Sequence, residues 1–216
     1  MKVPASTKSV MVCQNLPRGK RGRWLSWERD FDFLPGQIVG VTDDPNRPPR
    51  WYSLASGNKD SWASILFTPV DSGELSPILS RLVPGDRIWI TPPQGSFLDK
   101  KKQAVWVATG TGVAPFLAMA RSGFAGTRVL VQGARYLEDL YFREEWQKRL
   151  GKNYIACCTR EQGVFDGRVT RYLESQKWPM DTHFFLCGSS EMVVDARDLL
   201  ISQGIPFSQI VAEVYF

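Results

Sequence analysis

Ala104-Val105-Trp106-Val107-Ala108-Thr109-Gly110-Thr111-Gly112-Val113-Ala114-Pro115 decides the fold. Its first five residues are an apolar run of strand length, the composition of a strand covered on both faces. Thr109-Gly110-Thr111-Gly112 breaks that run. Pro115 then suits the first turn of a helix, where its missing N–H costs no hydrogen bond. Strand, glycine-rich turn and helix in this order make an anion cradle, because glycines let the backbone approach a pyrophosphate and leave N–H groups facing it. Thr109, Gly110, Thr111, Gly112, Ala114 and Pro115 are therefore candidate phosphate contacts. Purely structural turns share this composition, and the G-x-G-x-x-G spacing of standard dehydrogenases is absent here, with Pro115 standing near the place of the third glycine.

Downstream of this stretch, apolar strands alternate with amphipathic segments. Strands are expected at Ala104–Ala108, Arg128–Gln132, Tyr154–Thr159, His183–Cys187 and Ile210–Val214. Helices are expected at Pro115–Arg121, Leu137–Leu150, Arg168–Gln176 and Met192–Gln203. Such alternation implies right-handed crossovers and a five-stranded parallel sheet in a Rossmann-like α/β domain. Upstream, short β-branched and aromatic runs are broken by Gly, Pro and Asp, the pattern of an antiparallel β-barrel or sandwich. Its strands are expected at Val10–Gln14, Arg23–Arg29, Gln37–Val41, Trp51–Ala55, Trp62–Thr68 and Arg87–Thr91, with one helix at Leu75–Leu82. Lys100-Lys101-Lys102 lies where a linker belongs, giving domains at 1–100 and 101–216.

The chain has 216 residues, 43% of them hydrophobic, and a formal charge of +5. That length and composition suffice for a buried core, and no apolar run reaches the roughly 18 residues that span a bilayer. No secretory signal pattern opens the sequence, so a cytoplasmic location is the default expectation. Cys13, Cys157, Cys158 and Cys187 have neither zinc nor iron–sulfur spacing and are expected as reduced thiols, with no metal bound. The positive charge favours acidic partners, whether acidic proteins or nucleic acid.

The Thr109–Pro115 turn, Arg50-Trp51-Tyr52-Ser53 and the terminal Glu213-Val214-Tyr215-Phe216 together resemble the ferredoxin–NADP reductase superfamily, and most of all its bacterial ferredoxin (flavodoxin) reductases. Phe33-Leu34-Pro35-Gly36-Gln37 and Pro84-Gly85-Asp86 look like two further motifs of that family, in family order. The resemblance implies a flavoprotein oxidoreductase with an FAD-binding barrel followed by an NAD(P)-binding domain. It also implies that Arg50 meets a flavin phosphate through its fork of donors, that Tyr52 lies along the flavin ring, and that Ser53 sets a hydroxyl near the reactive nitrogen. Gly73, Leu75 and Ser76 would hold the second flavin phosphate. Gly73-Glu74-Leu75-Ser76 followed by Pro77 also reads as an ordinary helix start, and both readings can hold together. FMN in place of FAD stays open, since no residue reads the adenine.

By the same resemblance the catalytic set is Ser53, Cys187, Glu213 and Tyr215, with Gly188 beside Cys187 at the end of a parallel strand. Cys187 alone would read as an inert core thiol. Tyr215 would cover the flavin and yield to the nicotinamide. Plant-type relatives end on that tyrosine, whereas here Phe216 follows, which leaves open which ring stacks. Arg135, Arg160 and Arg168 follow strands or open a helix, where the resemblance places arginines for a 2′-phosphate, so NADPH is favoured over NADH. With no iron–sulfur cysteines in the chain, the expected partner is a separate acidic carrier, ferredoxin or flavodoxin, attracted by Arg18–Arg23 and Lys100–Lys102. The rivals are an NADH-dependent reductase or electron-transfer subunit serving an oxygenase, a haem protein or free flavin, and a basic nucleic-acid-binding protein. The last leaves the phosphate turns and terminal aromatics unexplained, so neither nucleic acid nor membrane is expected as a partner.

Overall fold

The computed structural model describes residues 6–161 and 165–215. The chain divides into two compact units, Met1–Leu98 with Ala114–Ser122, and Asp99–Val113 with Gly123–Phe216.

In the first unit, alternating apolar residues build six antiparallel strands: β1 (Lys8–Arg18), β2 (Gly22–Glu28), β3 (Ile38–Thr42), β4 (Arg50–Ser53), β5 (Trp62–Phe67) and β6 (Arg87–Ile90), with α1 (Ser76–Leu79) before β6. They pair in the order β4-β3-β6-β1-β2-β5. Among the described residues the two edges meet at a bridge between Leu54 and Ile65, with the Ala55 N–H donating to Ser64 O at 2.8 Å, so the sheet is barrel-like without a closing ladder. Inward positions two apart, Leu25 and Trp27, Val39 and Val41, Ile65 and Phe67, Ile88 and Ile90, form one buried core. Each such aliphatic side chain adds about 1.5–3 kcal/mol through burial. The outward Trp24 and Ser26 are buried too, and the segment after Pro115 reaches Trp24 and the loop at Asn58. The Arg121 guanidinium lies 5.1 Å from the Trp24 ring, and Ser122 Oγ accepts from the Asn58 N–H at 2.9 Å.

Two expected elements change length. β1 extends to Lys8–Arg18 because its first half pairs with β6 and its second with β2, across a bulge between Val12 and Gln14. α1 stops at Leu79 instead of Leu82. There the Asn15 side chain donates to the carbonyls of Leu79 and Leu82 at 2.9 and 2.8 Å, satisfying groups that would otherwise continue the helix.

The second unit carries a parallel sheet of six strands rather than five. β7 (Val105–Thr109) leads through the Gly-rich turn to α2 (Ala114–Met119), which belongs to the first unit. β8 (Val129–Ala134), α3 (Arg143–Leu150), β9 (Tyr154–Cys158), β10 (Phe165–Asp166), α4 (Val169–Ser175), β11 (Phe184–Ser189), α5 (Ser190–Ser202) and β12 (Ile210–Tyr215) follow. Their order is β10-β9-β8-β7-β11-β12. The extra strand, β10, is a two-residue edge pairing Phe165 and Asp166 with Cys157 and Cys158, too short to leave an apolar pattern. The helix expected over Leu137–Leu150 is also interrupted. A 3-10 turn at Leu137–Asp139 precedes α3, and between them Phe142 takes a left-handed conformation, φ 61°.

The lysine run is held by an unforeseen buried cluster. Asp99, with no exposed side-chain surface, accepts from Arg128 Nε at 3.0 Å, from Trp106 Nε1 at 2.9 Å and from the Lys101 N–H at 2.9 Å. Arg128 in turn donates to the Lys101 and Lys102 carbonyls. Among the described residues no helix is long and apolar enough to cross a membrane, and all four cysteines are free.

Candidate functional site

In the parallel sheet β7 connects onward to β8 on one side, while β11 and β12 lie on its other side. Strand order reverses at β7, and the crevice beyond the carboxyl ends of β7 and β11 is where such sheets take ligands. Two glycines make that crevice possible. A Cβ on Gly112 would stand 2.3 Å from the Cys187 carbonyl oxygen and 2.6 Å from Gly188 Cα. A Cβ on Gly188, φ 150°, would stand 2.3 Å from Thr109 Oγ1. The turn Thr109–Gly112 and the strand end Cys187–Gly188 are thus packed backbone to backbone. Thr109 Oγ1 ties them further by accepting from the Ser189 N–H at 3.4 Å. The structure brings the turn Thr109, Gly110, Thr111 and Gly112 against Cys187 and Gly188, while Ala114 and Pro115 start α2 in the first unit.

The terminal strand adds two polar groups to this edge. β12 pairs with β11 so that Glu213 lies opposite Cys187 and Tyr215 opposite Ser189. Cys187 is fully buried. Burial first, and then the Glu213 charge, push its thiol well above the ordinary value of 9, opposed by a side-chain hydrogen bond with Tyr215. At neutral pH Cys187 is therefore a protonated thiol in contact with Tyr215 and in the field of Glu213. Phe216 lies outside the described residues, and Ser53 belongs to the barrel unit.

Of the three arginines, two are brought together. Arg135 follows β8 and Arg160 follows β9, and the Arg160 N–H donates to the Arg135 carbonyl at 3.1 Å. Arg160 also reaches the Tyr136 hydroxyl at 3.4 Å. Arg168 stands apart, ion-paired at 2.7 Å with Glu191 in the first turn of α5. The sequence reading missed both Tyr136 and Glu191. An aromatic directly after Arg135 and an acid two residues beyond Ser189 were the signals available.

In the barrel unit β4 carries Arg50, Tyr52 and Ser53. Arg50 is exposed and Ser53 buried. Tyr52 packs edge-on against Phe67, ring centroids 6.0 Å apart, and burial raises its phenol to about 12, so it is a neutral flat surface at any physiological pH. Arg50 and Leu75 line one cavity of about 590 Å³ together with Thr42, Asp43, Arg47, Pro48 and Glu74. Arg47, ion-paired with Asp43 at 3.7 Å, gives this cavity a second guanidinium that the sequence reading did not single out. Gly73 and Ser76 sit beside it in a tight turn. The Gly73 N–H donates to Val70 O at 2.8 Å, and Ser76 Oγ accepts from the Val70 N–H at 2.9 Å. Ser76 is the first residue of α1, and its hydroxyl closes the preceding turn instead of capping the helix.

Comparison with known proteins agrees with this architecture. Residues 106–198 match the oxidoreductase NAD-binding domain family. The chain is 31% identical to the flavodoxin/ferredoxin–NADP reductase of Escherichia coli, over 76% of this chain and 77% of that protein. It is 29% identical to the toluate 1,2-dioxygenase electron transfer component of Pseudomonas putida over 80% of this chain, but that match spans only 56% of the longer relative. In fold it is similar to a ferredoxin NADP+ reductase from Neisseria gonorrhoeae with bound FAD and NADP, with a TM-score of 0.85 and 20% identity over 98% of this chain and 100% of that one. With nearly a third of its residues shared across more than three quarters of the Escherichia coli enzyme, the chain belongs to the ferredoxin/flavodoxin–NADP reductase family of oxidoreductases.

Proposed function

We propose that this chain carries electrons between NADPH and a one-electron carrier, ferredoxin or flavodoxin, through FAD. The barrel unit is assigned the flavin and the α/β unit the nicotinamide nucleotide, with the division near residue 100. The observation that carries the reading is the meeting of Thr109–Gly112 with Cys187–Gly188 at the strand-order reversal, lined by Glu213 and Tyr215. A side chain at Gly112 or Gly188 would push the turn and the strand end apart, and their close approach is what leaves the turn's N–H groups at the sheet's carboxyl edge for a dinucleotide phosphate.

The residues divide the work. Arg50 and Arg47 give the barrel cavity two cations for a diphosphate, and Leu75 lends it an apolar wall. Tyr52, neutral and half-buried, offers a flat face for a planar ring, and Ser53 a buried hydroxyl beside it. FAD, when bound, supplies the exchange between two-electron and one-electron transfer. The buried, uncharged thiol of Cys187 backs the nicotinamide end without adding a charge there, and the Glu213 carboxylate stabilises positive charge on that ring. Arg135 and Arg160 supply paired cations for a 2′-phosphate, which favours NADPH over NADH.

Anaerobic titration of the purified protein with NADPH, then NADH, tests the reading through loss of the flavin absorbance. Bleaching by NADPH at lower concentration is expected, and protein without bound flavin would refute the proposal. A second reading is an NADH-linked electron-transfer component of an oxygenase, supported by the similarity to the toluate 1,2-dioxygenase component and by the engagement of Arg168 with Glu191. Bleaching by NADH alone would select it. Acceleration of cytochrome c reduction by added ferredoxin or flavodoxin would favour the first reading.

A further inference from the structure

We infer that Glu161 is a positioning residue that sets the chain's preference for a 2′-phosphorylated dinucleotide, an inference that rests on the NADPH reading above. The 3-10 turn Leu137–Asp139 begins after Tyr136, whose side chain makes no cap hydrogen bond. The first N–H of that turn would otherwise be left to solvent. It donates instead to Glu161 Oε2, a carboxylate on the loop after the neighbouring strand β9. The same two loops are joined by the Thr159 N–H to Ala134 O at 3.3 Å, the Arg160 N–H to Arg135 O at 3.1 Å, and Arg160 to the Tyr136 hydroxyl at 3.4 Å.

These contacts have different strengths. The two backbone bonds continue the β8–β9 ladder and fix where Arg135 and Arg160 leave the sheet. Beyond Arg135 the Glu161 contact is the charge-assisted link between the two loops. With it, Tyr136 is held where its hydroxyl meets Arg160, so a phosphate meets that guanidinium and phenol already in place. Without it, the Leu137 N–H loses its partner, and a phosphate must order more of the turn on binding. Arg168 lies on another element, paired with Glu191, so its contribution does not depend on Glu161. The half-buried carboxylate thus favours a phosphate although it carries the same sign of charge: its effect through geometry outweighs a repulsion that salt only partly screens.

The test compares wild type, Glu161→Ala and Glu161→Gln in binding of adenosine 2′,5′-bisphosphate, NADP⁺ and NAD⁺ by calorimetry, with amide exchange at Leu137 followed in the absence of any nucleotide. Glutamine keeps an acceptor oxygen for the Leu137 N–H, whereas alanine removes it. Glu161→Ala should weaken the bisphosphate and NADP⁺ about tenfold, the equivalent of one charge-assisted hydrogen bond. NAD⁺ should stay within twofold, and the Leu137 amide should exchange faster. Glu161→Gln should lie within about threefold of wild type in every measurement. Unchanged or tighter bisphosphate binding by Glu161→Ala would overturn the inference, as would equal losses for NADP⁺ and NAD⁺. If wild type itself bound NAD⁺ in preference and ignored the bisphosphate, the NADPH reading would fall with it, a result separate from failure of the variant alone.

Discussion

Gly112→Ala is the sharpest perturbation of the nucleotide crevice. The added methyl would stand 2.3, 2.5 and 2.6 Å from Cys187 O, Cys187 C and Gly188 Cα, against 3.4 Å where ordinary contact begins. All three atoms are backbone, so no rotamer change relieves the overlap. Either the turn or the end of β11 must move by about 1 Å. Overpacking of this kind costs about 1–3 kcal/mol of stability, and a displacement of about 1 Å at a reacting site costs about 100-fold in rate. The expected result is a fall of about 100-fold in kcat/KM for NADPH, about 2.7 kcal/mol of transition-state stabilisation, with flavin content retained because the methyl lies in the α/β unit. Gly123→Ala is the control. Gly123, outside the turn, has φ 95° and a Cβ there meets nothing within 4 Å, so the variant bears only the left-handed backbone penalty of about 1–2 kcal/mol. It should lose stability but less than about fivefold in kcat/KM. Stopped-flow flavin reduction and thermal melts on both proteins decide the matter. Equal kinetic losses in the two variants, or a fully active Gly112→Ala, would refute the close-approach argument.

Asp99→Ala should destabilise the α/β unit by about 3–5 kcal/mol, since it strands the nearly buried Arg128 without its carboxylate; urea unfolding measures this, and a loss below 1 kcal/mol would discount the cluster. Cys187, held as a thiol by burial and by Glu213, should resist disulfide reagents at pH 7–8, while half-buried Cys13 reacts first and the others follow only on unfolding; rapid labelling of Cys187 in the folded protein would contradict its environment. Burial lifts Cys157 from 9.0 to about 12 in the folded state, so its contribution to stability is complete below pH 9 and is lost as pH climbs from about 9 to 12. Over that window wild type should lose stability by up to about 1.4 kcal/mol per pH unit more steeply than Cys157→Ala, and parallel pH profiles from urea midpoints would count against the shift.

How much of this was legible in the sequence follows from how far each signal reaches along the chain. Strand Val105–Thr109 and its Gly-rich turn are local features: apolar run, glycines and proline occur in one stretch, and the structure places them as read. The register that sets Glu213 opposite Cys187 was reachable only through family resemblance, because the two residues are 26 positions apart on separate strands. Side-chain contacts were not legible in either way. Arg128 was legible only as the start of an expected strand and Asp99 not at all, and the hydrogen bonds that Arg128 and Trp106 both give Asp99 join residues too far apart along the chain to leave a pattern. The Leu137–Leu150 segment shows the converse error. Its helical composition is real, but the left-handed Phe142 divides it, and periodicity does not report a single backbone conformation.

The Arg168–Glu191 pair shows why residue type and position do not settle a role. Arg168 stands where the family resemblance predicts a phosphate ligand, and a guanidinium there suits one. Both partners are about two-thirds exposed, 66% and 69% by side chain, so the pair is worth no more than about 1 kcal/mol. A dianionic 2′-phosphate can therefore draw Arg168 away at small cost, whereas NADH offers nothing to compete with Glu191. Under the proposed NADPH reading Glu191 is then a counterweight of about 1 kcal/mol or less, and Arg168 would add to whatever discrimination Arg135 and Arg160 provide.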